Sequence, residues 1–169
     1  RPSEEHPEVE VQRILVPVDF SPHAWLAAAH AKELAALFHA RLCLLHVLEV
    51  LPPIGLADLP PQLPSAQEQA DARHALLDLC KEAGGPEVPV DATVVAGHPT
   101  LDVIEVTRQL DIDLLVMATH GRTGLERVLL GSVTERAIQQ APCPVFVVKA
   151  FGKSLLRPAE RSAAYPEDY

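Results

Sequence analysis

The residues best suited to handling an anion lie between positions 117 and 135, in the stretch MATHGRTGLERVLLGSVTE. An apolar run ends in His120 and Gly121, and ten residues after Gly121 come Gly131 and Ser132, which open a segment with helical character. Glycine lets main-chain N–H groups approach an anion with no Cβ in the way. A helix start leaves its first N–H groups without intrahelical partners and carries partial positive charge. A loop with glycine at both ends and a helix start behind it therefore suits a phosphate chain. Ser132 with Glu135 three residues on also reads as a capping box, which would satisfy the helix start internally. The two roles coexist if backbone N–H groups do most of the anion binding. Asp19, after an early apolar run, either faces a ligand or bonds the N–H groups of the helical turn that follows it. His120 either meets a ligand or ends its strand with a side-chain hydrogen bond. Arg122 and Arg127 read as phosphate-facing cations or as solvated loop residues.

The elements that must position these groups alternate regularly. Residues 13–18 read as a buried strand. Ser21 suits an N-cap and Pro22 the first position of a helix running to about residue 39, with Leu34, Leu37 and Phe38 at helical spacing. Residues 41–48 form a second apolar strand, followed by a Pro-rich segment at 49–64 that excludes helix and central strand. A second helix spans 65–83, with Ala72, Leu76, Leu79, Cys80 and Ala83 on one face, and Gly84 and Gly85 stop it. A third strand at 88–96 carries Pro89, which fits a sheet edge. A third helix at 99–110 turns Val103, Val106, Thr107 and Leu110 inward. A strand at 114–119, a helix at 132–140 and a strand at 145–148 complete the pattern. Five strand–helix alternations predict an α/β fold, a parallel sheet with helices on both faces and right-handed crossovers. Ligands of such sheets sit at the carboxyl ends of the strands, where the winding reverses.

Bulk properties narrow the function. The 169 residues suggest a single domain, and 48% hydrophobic content with only 4% aromatics gives an aliphatic core. A formal charge of −9 argues against nucleic acid and against an anionic membrane as partners. Cys43, Cys80 and Cys143 are odd in number and lack C-x-x-C spacing, so they read as buried apolar groups in a reducing, cytoplasmic compartment. No apolar run reaches the length of a membrane span, and no signal-peptide pattern is evident. His23, His30, His39, His46, His74 and His98 show no metal-ligand spacing, and His46 reads as a hydrogen-bonded core residue. H-E-x-x-H, Walker A and G-x-G-x-x-G patterns are absent. A phosphorelay receiver would need an aspartate at the end of the third strand, where the chain has Val95, Ala96 and Gly97.

On VPVDFS at the first strand, LLHV at the second and the whole stretch 117–149, the chain resembles the universal stress proteins. The likeness covers residues 11–149 and leaves residues 1–10 as an arm and residues 150–169 as a tail. It implies a single-domain, Rossmann-like, adenine nucleotide alpha hydrolase-like fold with five parallel strands in the order 3-2-1-4-5. It also implies a homodimer, commonly paired through the last strand, here Val145–Val148, whose apolar edge invites pairing. One branch of that family binds ATP through glycine, two residues, glycine, nine residues, glycine and then Ser or Thr. The chain follows this from Gly121 through Gly131 and Ser132, but Ala118 stands where the first glycine falls. By matching positions, the resemblance implies that Val18 and Val47 flank adenine. Asp19 then meets the ribose or a metal, with Met117 beside the ribose. His120, Gly121, Arg122, Gly131, Ser132, Val133 and Thr134 surround the phosphates. The expected ligand is ATP with Mg²⁺, and the expected role is that of a sensor or regulator of stress responses. No general base or nucleophile is evident from sequence, so at most slow hydrolysis is expected. Ala118 also leaves open a nucleotide-free dimer with a purely structural loop, and a metal on Asp19 would leave open a slow ATPase or phosphotransferase.

Overall fold

The computed structural model describes residues 10–50, 61–119, 130–149 and 154–156. His120, Gly121 and Arg122, with Gly124 and Arg127, lie outside these residues. So do residues 1–9 of the arm, residues 51–60 of the Pro-rich segment, and the tail apart from 154–156.

The elements run β1 (Arg13–Pro17), α1 (Pro22–Phe38), β2 (Arg41–Glu49), α2 (Ala66–Glu82), β3 (Val90–Gly97), α3 (Pro99–Gln109), β4 (Leu114–Ala118), α4 (Ser132–Gln140) and β5 (Val145–Val148). The strands form one sheet in the order β3-β2-β1-β4-β5, every pair parallel. The expected topology is therefore the observed one. The winding reverses between β1 and β4, so the crevice above their carboxyl ends is the switch point of the fold.

Two apolar layers hold the sheet. On one face α1 and α2 pack on Ile14, Val16, Leu42 and Leu44. On the other, α3 and α4 pack on Leu15, Cys43, Leu45, Leu115 and Met117. Alternate strand residues thus serve opposite layers, and both layers are covered, which explains the nearly continuous apolar strands. The buried face of α1 differs from the expected one. Ala24, Ala27, Ala28, Ala31 and Ala35 bring the helix close to the sheet, while Leu37 and Phe38 are 70% and 41% exposed. The small side chains supply the contact, and the last turn of α1 extends past the buried layer.

Local signals account for the boundaries. Ser21 Oγ accepts the Ala24 N–H at 3.2 Å and Pro22 opens α1. Ser65 and Glu68 form a full capping box at α2, and Gly84 and Gly85 end that turn with φ of +67° and +74°. β3 begins after Pro89, at the sheet edge, because proline has no N–H for the ladder.

Candidate functional site

A cleft of about 720 Å³ opens above the carboxyl ends of β1, β2 and β4, within the usual size of small-molecule sites. Of the twelve residues singled out from sequence, nine line it: Val18, Asp19, Val47, Met117, Ala118, Gly131, Ser132, Val133 and Thr134. The other three, His120, Gly121 and Arg122, lie outside the described residues.

The β1 side is held by main-chain and side-chain bonds. Val18 N–H donates to the Leu45 carbonyl at 2.8 Å, which carries the β1–β2 ladder one residue past the strand. The His46 ring donates from Nδ1 to the Val18 carbonyl at 2.7 Å, so this histidine is hydrogen-bonded as expected, but it is half-buried on the cleft wall and not in the core. Phe20, with φ of +60°, packs its ring against that of His46 in a tilted arrangement, with centroids 4.7 Å apart. Asp19 Oδ1 accepts the Ser21 N–H at 3.0 Å. The carboxylate thus organises the entry to α1 while it lines the cleft. Val18 packs with the α1-side layer and Val47 with the α3-side layer, so the two apolar walls rise from opposite faces of the sheet.

The β4 side is built around the return of the chain to α4. Gly131 N–H donates to the Thr119 carbonyl at 3.0 Å. Thr134 Oγ1 donates to the Ala118 carbonyl at 2.9 Å. The excursion between β4 and α4 is therefore pinned at both ends, and the start of α4 is fixed beside the end of β4. Ser132 does not form the capping box that its spacing to Glu135 suggests. Gly131 is the N-cap, Ser132 is the first helical residue, and no side chain caps this helix. Because the helix begins one residue earlier than a serine cap requires, Ser132 lies inside the first turn and its side chain does not cap it. The N–H groups of Ser132, Val133 and Thr134 form the first turn of α4 at the edge of the cleft.

Ala118 is the departure from the glycine pattern. It packs with the α1-side layer, whereas its neighbour Met117 packs with the α3–α4 layer. Its methyl group is consequently turned to the face of the sheet opposite α4.

The third wall was not among the residues singled out for ligand contact. Glu49, His98, Pro99 and Thr100 line the cleft from the ends of β2 and β3. The available signal was the sequence Gly-His-Pro-Thr at 97–100, a strand exit with proline at the first helical position. Among the described residues no cluster of three metal-ligating side chains occurs. The three cysteines are free. Burial raises all their thiol pKa values, so they stand apart from reactive thiols. Among the described residues, no helix is long and apolar enough to cross a membrane.

Comparison with known proteins agrees with this architecture. The model of the universal stress protein family matches residues 10–149. Universal stress protein MJ0531 of Methanocaldococcus jannaschii is 38% identical over 139 residues, 82% of each chain. The solved structure of MJ0577, from the same organism, aligns with a TM-score of 0.64 at 27% identity, covering 86% of this chain and 99% of that one. A universal stress protein from Archaeoglobus fulgidus, solved in complex with dAMP, shares the fold at a TM-score of 0.57 and 19% identity, over 83% of this chain and 99% of that one. With the family pattern, the strand order and these relatives in agreement, the chain belongs to the universal stress protein family.

Proposed function

We propose that this protein binds ATP in the cleft between β1 and β4 and acts as a nucleotide-responsive regulator. The observation that carries the reading is the contrast between helix starts around the cleft. At α1 the Ser21 hydroxyl occupies the first turn. At α3 no side chain caps the first turn, but Pro99 there has no N–H to offer, and the Asp102 carboxylate, accepting the N-cap N–H of His98, places negative charge at the helix start. At α4 the N-cap is glycine and no side chain occupies the turn. An anion therefore finds its best main-chain donors at Ser132, Val133 and Thr134. The Ser132 hydroxyl adds a further donor. His120, Gly121 and Arg122 complete the phosphate site by the family pattern. Val18 and Val47 supply apolar walls for adenine, with Asp19 and Met117 toward the ribose. The dAMP complex of a protein with the same fold supports an adenine nucleotide as the class of ligand.

Mg²⁺ fits the donor set. This ion usually takes one or two carboxylates together with substrate phosphates, so Asp19 alone suffices on the protein side. When bound, the ion would neutralise phosphate charge in a chain whose net charge is −9. A regulatory role fits better than hydrolysis, because two polar side chains of the cleft that could handle a proton, His46 and Thr134, are engaged in structure. His46 holds the Val18 carbonyl, and the Thr134 hydroxyl holds the Ala118 carbonyl.

The proposed assembly is a homodimer through Val145–Val148. β5 is the terminal strand of the sheet, with Val145, Phe146 and Val147 only half-buried. Thermal unfolding with and without MgATP tests the ligand reading. At a hundredfold excess over Kd a bound ligand stabilises by about 2.7 kcal/mol. A melting temperature indifferent to millimolar MgATP overturns the proposal.

A further inference from the structure

Building on the ATP reading, we infer that His98, held by Thr100, grips the base end of the bound nucleotide. The strand order sets the walls of the cleft from β4 through β1 and β2 to β3. Neighbouring strands lie about 4.8 Å apart, so β4 and β3 are separated by about 14 Å. A nucleotide with its phosphates on α4, beside β4, extends across β1 and β2 and brings its base toward the exit of β3. His98 and Thr100 line the cleft there.

This corner is built, not incidental. The His98 backbone N–H donates to the Asp102 carboxylate. Gly97 makes room for that carboxylate, since a Cβ at Gly97 would stand 2.1 Å from Asp102 Oδ2. Val50 N–H donates to the Gly97 carbonyl at 3.0 Å and ties the turn to the end of β2. Thr100 Oγ1 lies 2.8 Å from His98 Nδ1, so the hydroxyl holds the ring and satisfies one of its nitrogens. Nε2 has no hydrogen-bond partner among the described residues. A neutral imidazole offers Nε2 as donor or acceptor, according to which way the threonine hydroxyl turns. A base edge, with ring-nitrogen acceptors beside an exocyclic amino group, matches that capacity.

The surrounding charges favour a base over a phosphate at this end. Glu49 lines the same wall and lies in register with Gly97. With Asp102 it places two carboxylates around His98. A polyanion is repelled there, while an exocyclic amino group finds an acceptor in Glu49.

Calorimetric titration of the full chain with ATP and with inorganic tripolyphosphate tests the assignment. His98→Ala is expected to weaken ATP binding by about three- to tenfold, the effect of one neutral hydrogen bond. Thr100→Val is expected to shift affinity in the same direction by loosening the ring. Tripolyphosphate affinity is expected to stay at the wild-type value in both variants. ATP affinity unchanged in His98→Ala overturns the inference while leaving the nucleotide reading intact. A parallel loss of tripolyphosphate affinity also overturns it, because His98 then acts on the phosphates. Wild-type protein that takes up neither ligand overturns the nucleotide reading and this inference together.

Discussion

Replacing Thr134 with valine separates two roles that meet at the start of α4. Valine keeps the β-branched shape and removes only the hydroxyl. That hydroxyl donates to the Ala118 carbonyl at 2.9 Å, and Thr134 is 5% exposed. The variant leaves the carbonyl at the end of β4, half-buried at the wall of the cleft, without this donor. An unsatisfied polar group costs about 1–3 kcal/mol when fully buried, and the half-buried position of this carbonyl sets the expected loss toward the lower end. In a chain of this length the same loss lowers the melting temperature by about 2–12 °C. Urea unfolding followed by circular dichroism reads it as a lower midpoint with an unchanged slope. Nucleotide affinity is expected to respond differently. The hydroxyl proton is committed to Ala118, and a phosphate oxygen only accepts. The variant retains the Thr134 main-chain N–H. ATP affinity is therefore expected to stay within about threefold, or about 0.7 kcal/mol. An unchanged midpoint would show that the Thr134–Ala118 bond carries no stability. A loss of affinity as large as that expected for Ser132→Ala would place the hydroxyl itself on the phosphate and refute the division of roles.

Ser132→Ala is expected to weaken ATP binding by about tenfold to somewhat over a hundredfold, the value of one hydrogen bond to a charged group at about 1.5–3 kcal/mol. With no cap to lose, its stability should match wild type, and calorimetry with thermal unfolding reads both. Val147→Asp on β5 is expected to give monomers in sedimentation, because a carboxylate on the half-buried terminal strand opposes pairing; a persistent dimer moves the interface elsewhere. A disulfide reagent is expected to label Cys143, which is half-buried, before Cys43 and Cys80, and all three more slowly than in urea. Burial raises these thiol values, so the thiolate is the disfavoured form in the fold. Their contribution to stability is thus intact below the unfolded thiol value of about 8.5 and is lost as pH rises above it. Rapid labelling of Cys43 or Cys80 in the native protein would contradict this packing.

Much of the fold was legible because local and global signals agree. The apolar strands 13–18 and 41–48, Ser21 before Pro22, and Gly84 with Gly85 each mark a boundary on their own. Alternation then leaves a parallel sheet as the economical solution. The packing of α1 was less legible. Its contact is made by alanines, and size-based reasoning favours Leu37 and Phe38, which the helix carries beyond the sheet. The start of α4 misled for a related reason. Ser132 and Glu135 have capping-box spacing, but the Gly131–Thr119 and Thr134–Ala118 bonds set the helix one residue out of that register. Those bonds depend on tertiary placement of β4, which spacing does not contain. The β3–α3 wall was hidden for the same reason. His98 and Thr100 are distant in sequence from the phosphate stretch and meet it only through the 3-2-1-4-5 order.

The central claim is that ATP rests its phosphates on the start of α4. Gly131 has φ −61° and ψ 148°, a conformation open to valine, so Gly131→Val adds bulk at the N-cap without backbone strain. Titration calorimetry of MgATP into wild type and this variant, with folding checked by thermal unfolding, tests the claim most directly. The account predicts saturable binding to the wild type and its loss in a folded variant. Equal affinity in both proteins, or no uptake of ATP by the wild type, would contradict it.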